Sequence, residues 1–281
     1  MLKKIFILLS VCAAGLASCS KWGSETPTTP VLQTKYISSI TDGNGNSINF
    51  EYDLSNRVSR LTYTDDEGAH QYDISYDIKT IEVSSGSEKR VMRFNGYGAL
   101  ESWSSVIDGE ERKLSMFSYV TENASYLYLS GITNLETRGE TSIYWSSFSP
   151  SRQTNRWIDD SEGVSTIYST AVDYVYETFV SNVHTNVNLF LLLIPEYFEN
   201  ASMDRVLAAA VSVYGTRMYY LPTKVTVLKN RNYMGETSTI SNEERRFSYD
   251  CDTNGYVQRI YSGVEGNKTL LYSINYFTQT E

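Results

Sequence analysis

The chain has 281 residues, of which 41% are hydrophobic and 20% charged, a balance that fills a packed core. Its net charge is −9, and loss of Lys3 and Lys4 with residues 1–18 would take it to −11. An acidic surface without a basic stripe repels phosphate backbones, which excludes nucleic-acid binding. Aromatic residues reach 13%, with 23 Tyr against 10 Phe and 4 Trp, a composition that leans towards β-sheet.

Residues 1–18 read as an export signal: Lys3 and Lys4 form a positive start, and Ile5–Ala17 an apolar stretch too short to span a bilayer comfortably. The stretch ends in Leu16-Ala17-Ser18-Cys19, which resembles the bacterial lipobox. That resemblance implies cleavage before Cys19 and lipid on its thiol. Acylation by more than one chain gives stable anchoring, so a membrane is the first expected partner. Residues 19–34 follow as lipidated cysteine and tether, polar and carrying Pro27 and Pro30. Of the remaining cysteines, Cys12 lies in the signal and Cys251 stands alone, so no internal disulfide is expected.

From residue 35 to 281 a single domain is expected. Ser47-Ile48-Asn49-Phe50-Glu51-Tyr52 alternates with period two, turns at Asp53–Asn56, and alternates again from Arg57 to Tyr63. Turn signals recur about every 8–12 residues, the pattern of an antiparallel meander. A weak repeat relates Phe50-Glu51-Tyr52-Asp53, with Asn56, Val58 and Leu61, to Phe247-Ser248-Tyr249-Asp250, with Gly255, Val257 and Ile260. Phe94-Asn95, with Gly98, Leu100 and Trp103, is a more degenerate copy. In each, an acid or amide caps the turn and Asn or Gly supplies positive φ.

A helical insert is expected at about 187–214. Met203, Val206, Leu207, Ala210, Val211 and Tyr214 form one apolar stripe, with Ser202 as N-cap and Gly215 as the stop. The apolar run Leu189–Ile194 before it reads as a helical turn or a buried strand. The expected fold class is therefore mainly β, a curved antiparallel meander or open sandwich of about 14 to 17 strands packed over this insert. A closed barrel or propeller is the alternative.

The repeat resembles the tyrosine–aspartate type of bacterial surface proteins. The C-terminal half, with the apolar insert, Leu221-Pro222-Thr223-Lys224-Val225 and the closing Phe247–Ile260 segment, resembles lipoproteins of unknown function from Bacteroides-type gut bacteria. The resemblance implies a fold and an outer-membrane address but no reaction. Surface display in such bacteria goes with acids after the lipid cysteine. Here Ser20–Glu25 holds one acid, which leaves the surface and periplasmic faces both open.

No catalytic constellation is visible. Cys251 with His70 or His184 reads as a turn cysteine and two strand histidines, not a nucleophile pair. Asp250-Cys251-Asp252-Thr253-Asn254-Gly255 matches half of a calcium loop but has Tyr261 where the twelfth-position carboxylate belongs. Asp42–Asn46 with Asp53 is weaker, because Ser47 replaces the loop glycine. No metal and no cofactor is expected. Glu110, Glu111, Asp159, Asp160, Glu243 and Glu244 could supply a glycosidase pair, although adjacent acids at turns are usually solvated. Trp103, Trp145 and Trp157 are the candidate ligand-binding residues, as faces on which sugar rings stack. The expected function is a non-enzymatic envelope module binding a glycan or an envelope protein, with a lipid carrier and a glycan hydrolase as alternatives.

Overall fold

The computed structural model describes residues 35–278, apart from 123–125, 147, 161–162, 183–185, 199–204 and 212–217. The described residues make one compact unit. The Cys19, tether, His184, Ser202, Met203, Tyr214 and Gly215 expectations lie outside the described residues.

Alternation and turns set eighteen strands in chain order. The first eight are β1 Lys35–Asp42, β2 Ser47–Tyr52, β3 Val58–Asp65, β4 Gly68–Tyr76, β5 Thr80–Ser85, β6 Glu88–Phe94, β7 Leu100–Ile107 and β8 Glu110–Glu122. Next come β9 Tyr126–Asn134, β10 Glu140–Ser146, β11 Ser149–Asp159, β12 Thr166–Val175 and the short β13 Val180–Ser181. After two helices follow β14 Tyr220–Leu221, β15 Lys224–Tyr233, β16 Glu236–Cys251, β17 Val257–Val264 and β18 Asn267–Thr278.

Sixteen of these form one closed antiparallel barrel, each strand beside its chain neighbour, with β12 paired to β15 across the insert. Closure comes from β1 on β18, in register from Lys35↔Thr278 to Asp42↔Tyr272. The expected open sandwich is therefore corrected to a closed barrel. Every hairpin of the meander forms as its turn dictates, but closure pairs the first strand with the last. Alternation is the same in open and closed sheets, whereas closure removes both unpaired edges.

The turns explain their own sequences. Asp53 Oδ1 accepts from the amides of Ser55 and Arg57 at 2.8 and 2.9 Å, and Asn56 takes a φ of 60°. Asp252 does the same for Asn254 and Tyr256, with Gly255 at a φ of 84°. The repeat is thus real in its turn geometry, with its second copy displaced by two residues: Asp252, not Asp250, caps that turn. The same bulge precedes both turns, between Glu51 and Tyr52 and between Asp250 and Cys251, so residues 50–53 correspond to 249–252, and the Phe247-Ser248-Tyr249-Asp250 string lies two residues early. Asp42 and Asn95 cap further turns identically, through the amides of residues 44 and 46 and of residues 97 and 99.

The insert between β12 and β15 fills the barrel. It contains α1 Leu189–Leu193, a 3-10 turn Pro195–Phe198 and α2 Arg205–Val211. All five α1 residues are buried, as are Leu207, Ala208, Ala209 and Ala210 of α2. Their partners are the inward residues of strands around the wall, including Ile37, Ile48, Phe50, Leu61, Ile74, Val83, Met92, Trp103, Ile132, Val172, Val225 and Ile260, which join them in one apolar core. The run Leu189–Ile194 is thus a helix with its cap, and the sheet covers it from every side.

Candidate functional site

Because the strands alternate, an apolar inner face leaves the outer face to polar residues. Ion pairs cross the outside between strands: Glu51–Arg60–Asp73 on β2, β3 and β4, Glu82–Lys89 on β5 and β6, and Arg93–Glu111 from β6 over β7 to β8. Arg152–Asp173 on β11 and β12, and Lys224–Glu244–Arg246 on β15 and β16, continue the series. These residues pair in register beside others of the outer face, as in Arg60↔Asp73 and Arg152↔Asp173. Hydrogen bonds from Arg60 and Arg93 hold the carboxyls of Asp73 and Glu111 below the usual range.

Inside, a set of polar groups seats the insert. Asn186 accepts from the amide of Ile37 at 3.0 Å and donates to the Tyr52 hydroxyl at 2.6 Å. On the opposite wall, Gln153 and Asn155 donate to the Glu196 carbonyl at 2.5 and 2.8 Å, and Tyr174 donates to Gln153 at 3.0 Å. The Glu196 carboxylate, 4% exposed, accepts a bidentate pair from Arg245 at 2.9 and 3.1 Å. Glu243 takes a further bond from the same guanidinium at 2.9 Å, which with its charge holds the Glu243 carboxyl low. A general acid needs its proton at neutral pH, and Arg245 removes that property from Glu243.

The other candidate acids stand apart. Glu111 and Glu244 sit in the outer ion pairs, and Asp160 accepts from Ser165. Cys251 is exposed at the end of β16, its thiol raised by burial and by Asp252 and Asp250, the reverse of an activated nucleophile. His70 lies six strands away on β4, stacked on Tyr63 and 3.7 Å from Asp65. Asp252, the centre of the calcium-like segment, spends its carboxylate on its own turn and on Lys35 at 2.6 Å.

The three tryptophans do not share a surface. Trp103 is 1% exposed and bounds a cavity of about 120 Å³ with Tyr72, Val83, Arg90 and Leu207. That volume lies below the roughly 300–1,000 Å³ of small-molecule pockets. Trp145 donates its indole N–H to the Leu129 carbonyl at 2.7 Å and packs against Tyr128. Trp157 stacks on Tyr168 at 5.2 Å and 13° and stays half-exposed, with Arg231 paired across from Tyr168.

Trp145 belongs to a set not anticipated from the sequence. Even-numbered strands end at the rim where β1 begins, and there an aromatic side chain ties its hairpin to the preceding one. Tyr52 donates to Ile37 at 2.5 Å, Tyr76 to Val58 at 2.9 Å, and Tyr176 to Pro150 at 2.8 Å. Tyr249 donates to Pro222 at 2.5 Å and Tyr276 to Val257 at 2.6 Å. Burial pushes the Tyr52 hydroxyl up to about 12 and keeps it a neutral donor. The signal that could have found two of its members is the tyrosine before a turn Asp, as in Tyr52-Asp53 and Tyr76-Asp77.

No family model and no curated protein matches this chain. Among solved structures it is similar to a porin-like protein from Bacteroides vulgatus ATCC 8482, at a TM-score of 0.58 and 12% identity over 86% of this chain and 99% of that one. A porin-like protein from Bacteroides uniformis ATCC 8492 is similar at a TM-score of 0.55 and 15% identity, over 87% of this chain and all of that one. At such identities the likeness is one of fold.

Proposed function

We propose that this chain is a non-enzymatic module of the bacterial cell envelope, held to the outer membrane by lipid on Cys19, and that its barrel is neither a pore nor a bilayer span. The polarity of the barrel carries this reading. A membrane-spanning barrel presents an outward apolar band about 25 Å tall and a polar interior. Here the outside is laced with ion pairs and the inside is an apolar core filled by the insert. An Arg or Lys facing lipid at mid-bilayer costs about 2–4 kcal/mol, and this outer face holds several. The lipobox supplies the attachment that such a wall does not.

The carrier reading loses its support, because the cavity beside Leu207 holds about 120 Å³, well below the roughly 300–1,000 Å³ of small-molecule pockets. Against the hydrolase reading stands the sharing of Arg245 by Glu196 and Glu243. For a glycan ligand, the half-exposed Trp157–Tyr168 stack is the platform to examine first.

A fatty-acid analogue fed to cells should label the wild-type chain and spare Cys19→Ala. Equal labelling of the two would defeat the anchor. On a glycan array, any binding by the full-length lipoprotein should weaken at least about fivefold in Trp157→Ala, given stacking worth on the order of 1–3 kcal/mol. Binding unaffected by that change would remove the platform.

A further inference from the structure

The three most exposed large apolar side chains among the described residues are Leu54, Ile78 and Tyr97, at 102%, 94% and 89%. They occupy the tips of three successive turns, β2–β3, β4–β5 and β6–β7, on one rim of the barrel. That rim is also where β1 starts, at Lys35. Asp53, Asp77 and Asn95 hold these turns through backbone amides, so the tips project on fixed loops. The turn chemistry requires the Asx residues and constrains nothing at 54, 78 or 97. Single exposed apolar residues are ordinary, but three at matching places beside one another are a patch.

We propose that this rim docks on the lipid bilayer, with Leu54, Ile78 and Tyr97 seated in the headgroup–acyl boundary, so that the anchored barrel stands on its N-terminal rim. The inference rests on the Cys19 anchor proposed above. A bilayer is the occupant because of where the chain leaves the barrel: the 15 residues from Ser20 to Thr34 lead to Lys35, on this rim. Fully extended, they reach at most about 50 Å. A tether of that length keeps the rim at high effective concentration near the membrane, where shallow apolar contacts suffice. The charge fits as well. The chain is strongly acidic, but at this rim Asp53 pairs with Arg57 and Asp252 with Lys35, which offsets two of the acids that anionic headgroups would meet.

The test uses the lipidated protein in vesicles of phosphatidylethanolamine and phosphatidylglycerol. With Cys251→Ser as background, a nitroxide is placed at Leu54→Cys, Ile78→Cys, Tyr97→Cys, or Met234→Cys on the opposite rim. The three tip labels should be relaxed by oxygen and protected from a water-soluble nickel chelate, and the label at 234 should show the reverse. Tip labels as open to the chelate as 234 would overturn the proposal. Labels shielded from both reagents would overturn it in favour of a protein contact, with a second copy or another partner.

Fatty-acid labelling of Cys19 is read separately. If Cys19 carries no lipid, the anchor alone fails, and flotation of the mature chain with the same vesicles decides the rim. Bound protein should then fall about tenfold or more in the triple variant L54S/I78S/Y97S. Equal flotation of the two, or none by either, would sink the docking claim. The melting temperature of the triple variant should match wild type, since the three side chains pack against nothing.

Discussion

Arg245 shows how a single residue ties the insert to the wall. It projects inward from β16, half-buried, and its guanidinium is the counter-ion of the buried Glu196. Removing one partner of a buried pair leaves the other charge uncompensated and costs about 3–5 kcal/mol, less where water reaches one side, as at Arg245. Arg245→Ala should therefore lower stability by about 2–3 kcal/mol in urea unfolding, and Arg245→Ala with Glu196→Ala by less than the sum of the two. Additive losses would show that the two charges act independently. Neither residue stood out in the sequence. Glu196 follows a proline and reads as surface, because a counter-ion 49 positions away is a relation that only the closed barrel creates.

At the scale of elements, α2 was legible and its environment was not. Val206, Leu207, Ala210 and Val211 fall on one apolar stripe, and the structure places a helix there at Arg205–Val211. Ala208 and Ala209, off that stripe, are equally buried, because the helix is enclosed and not laid on a surface. A helix apolar on more than one face belongs in a core. Truncation of Leu207 to Ala should cost about 2–5 kcal/mol, read as a lower denaturant midpoint at unchanged slope. An unchanged midpoint would mean that the insert is not part of the folding unit. Hairpins were equally legible, since Asp53–Asn56 and Asn95–Gly98 each encode their turn within four residues. The second repeat, centred on Asp252, was misaligned because the Phe-x-Tyr-Asp string was matched by residue identity, whereas Gly255, Val257 and Ile260 keep from Asp252 the spacing that Asn56, Val58 and Leu61 keep from Asp53.

The whole molecule resembles porin-like proteins in its backbone and departs from a spanning pore in its chemistry. Reconstituted into planar bilayers, the full chain should give no stepwise conductance, because the lumen is filled by α1, the 3-10 turn and α2 and the outer wall carries ion pairs. Reproducible conductance steps abolished by a change on the inner face, such as Val225→Trp, would reverse this reading.

The sequence by itself determined the local periods: strands from alternation, turns from Asp, Asn and Gly, and one apolar helix. Each of these is written within a dozen residues, the range over which side-chain direction and backbone preference act. Only the tertiary structure decided that β1 pairs with β18, that the insert lies inside the wall, and that Tyr52, Tyr76 and Trp145 tie hairpin to hairpin. It also decided that Leu54, Ile78 and Tyr97, tens of residues apart, share one rim with the start of β1. Alternation marks two faces of a strand but not which one turns inward or where the sheet ends. Closure, which buries the apolar face around the insert and removes both edges, supplies that answer.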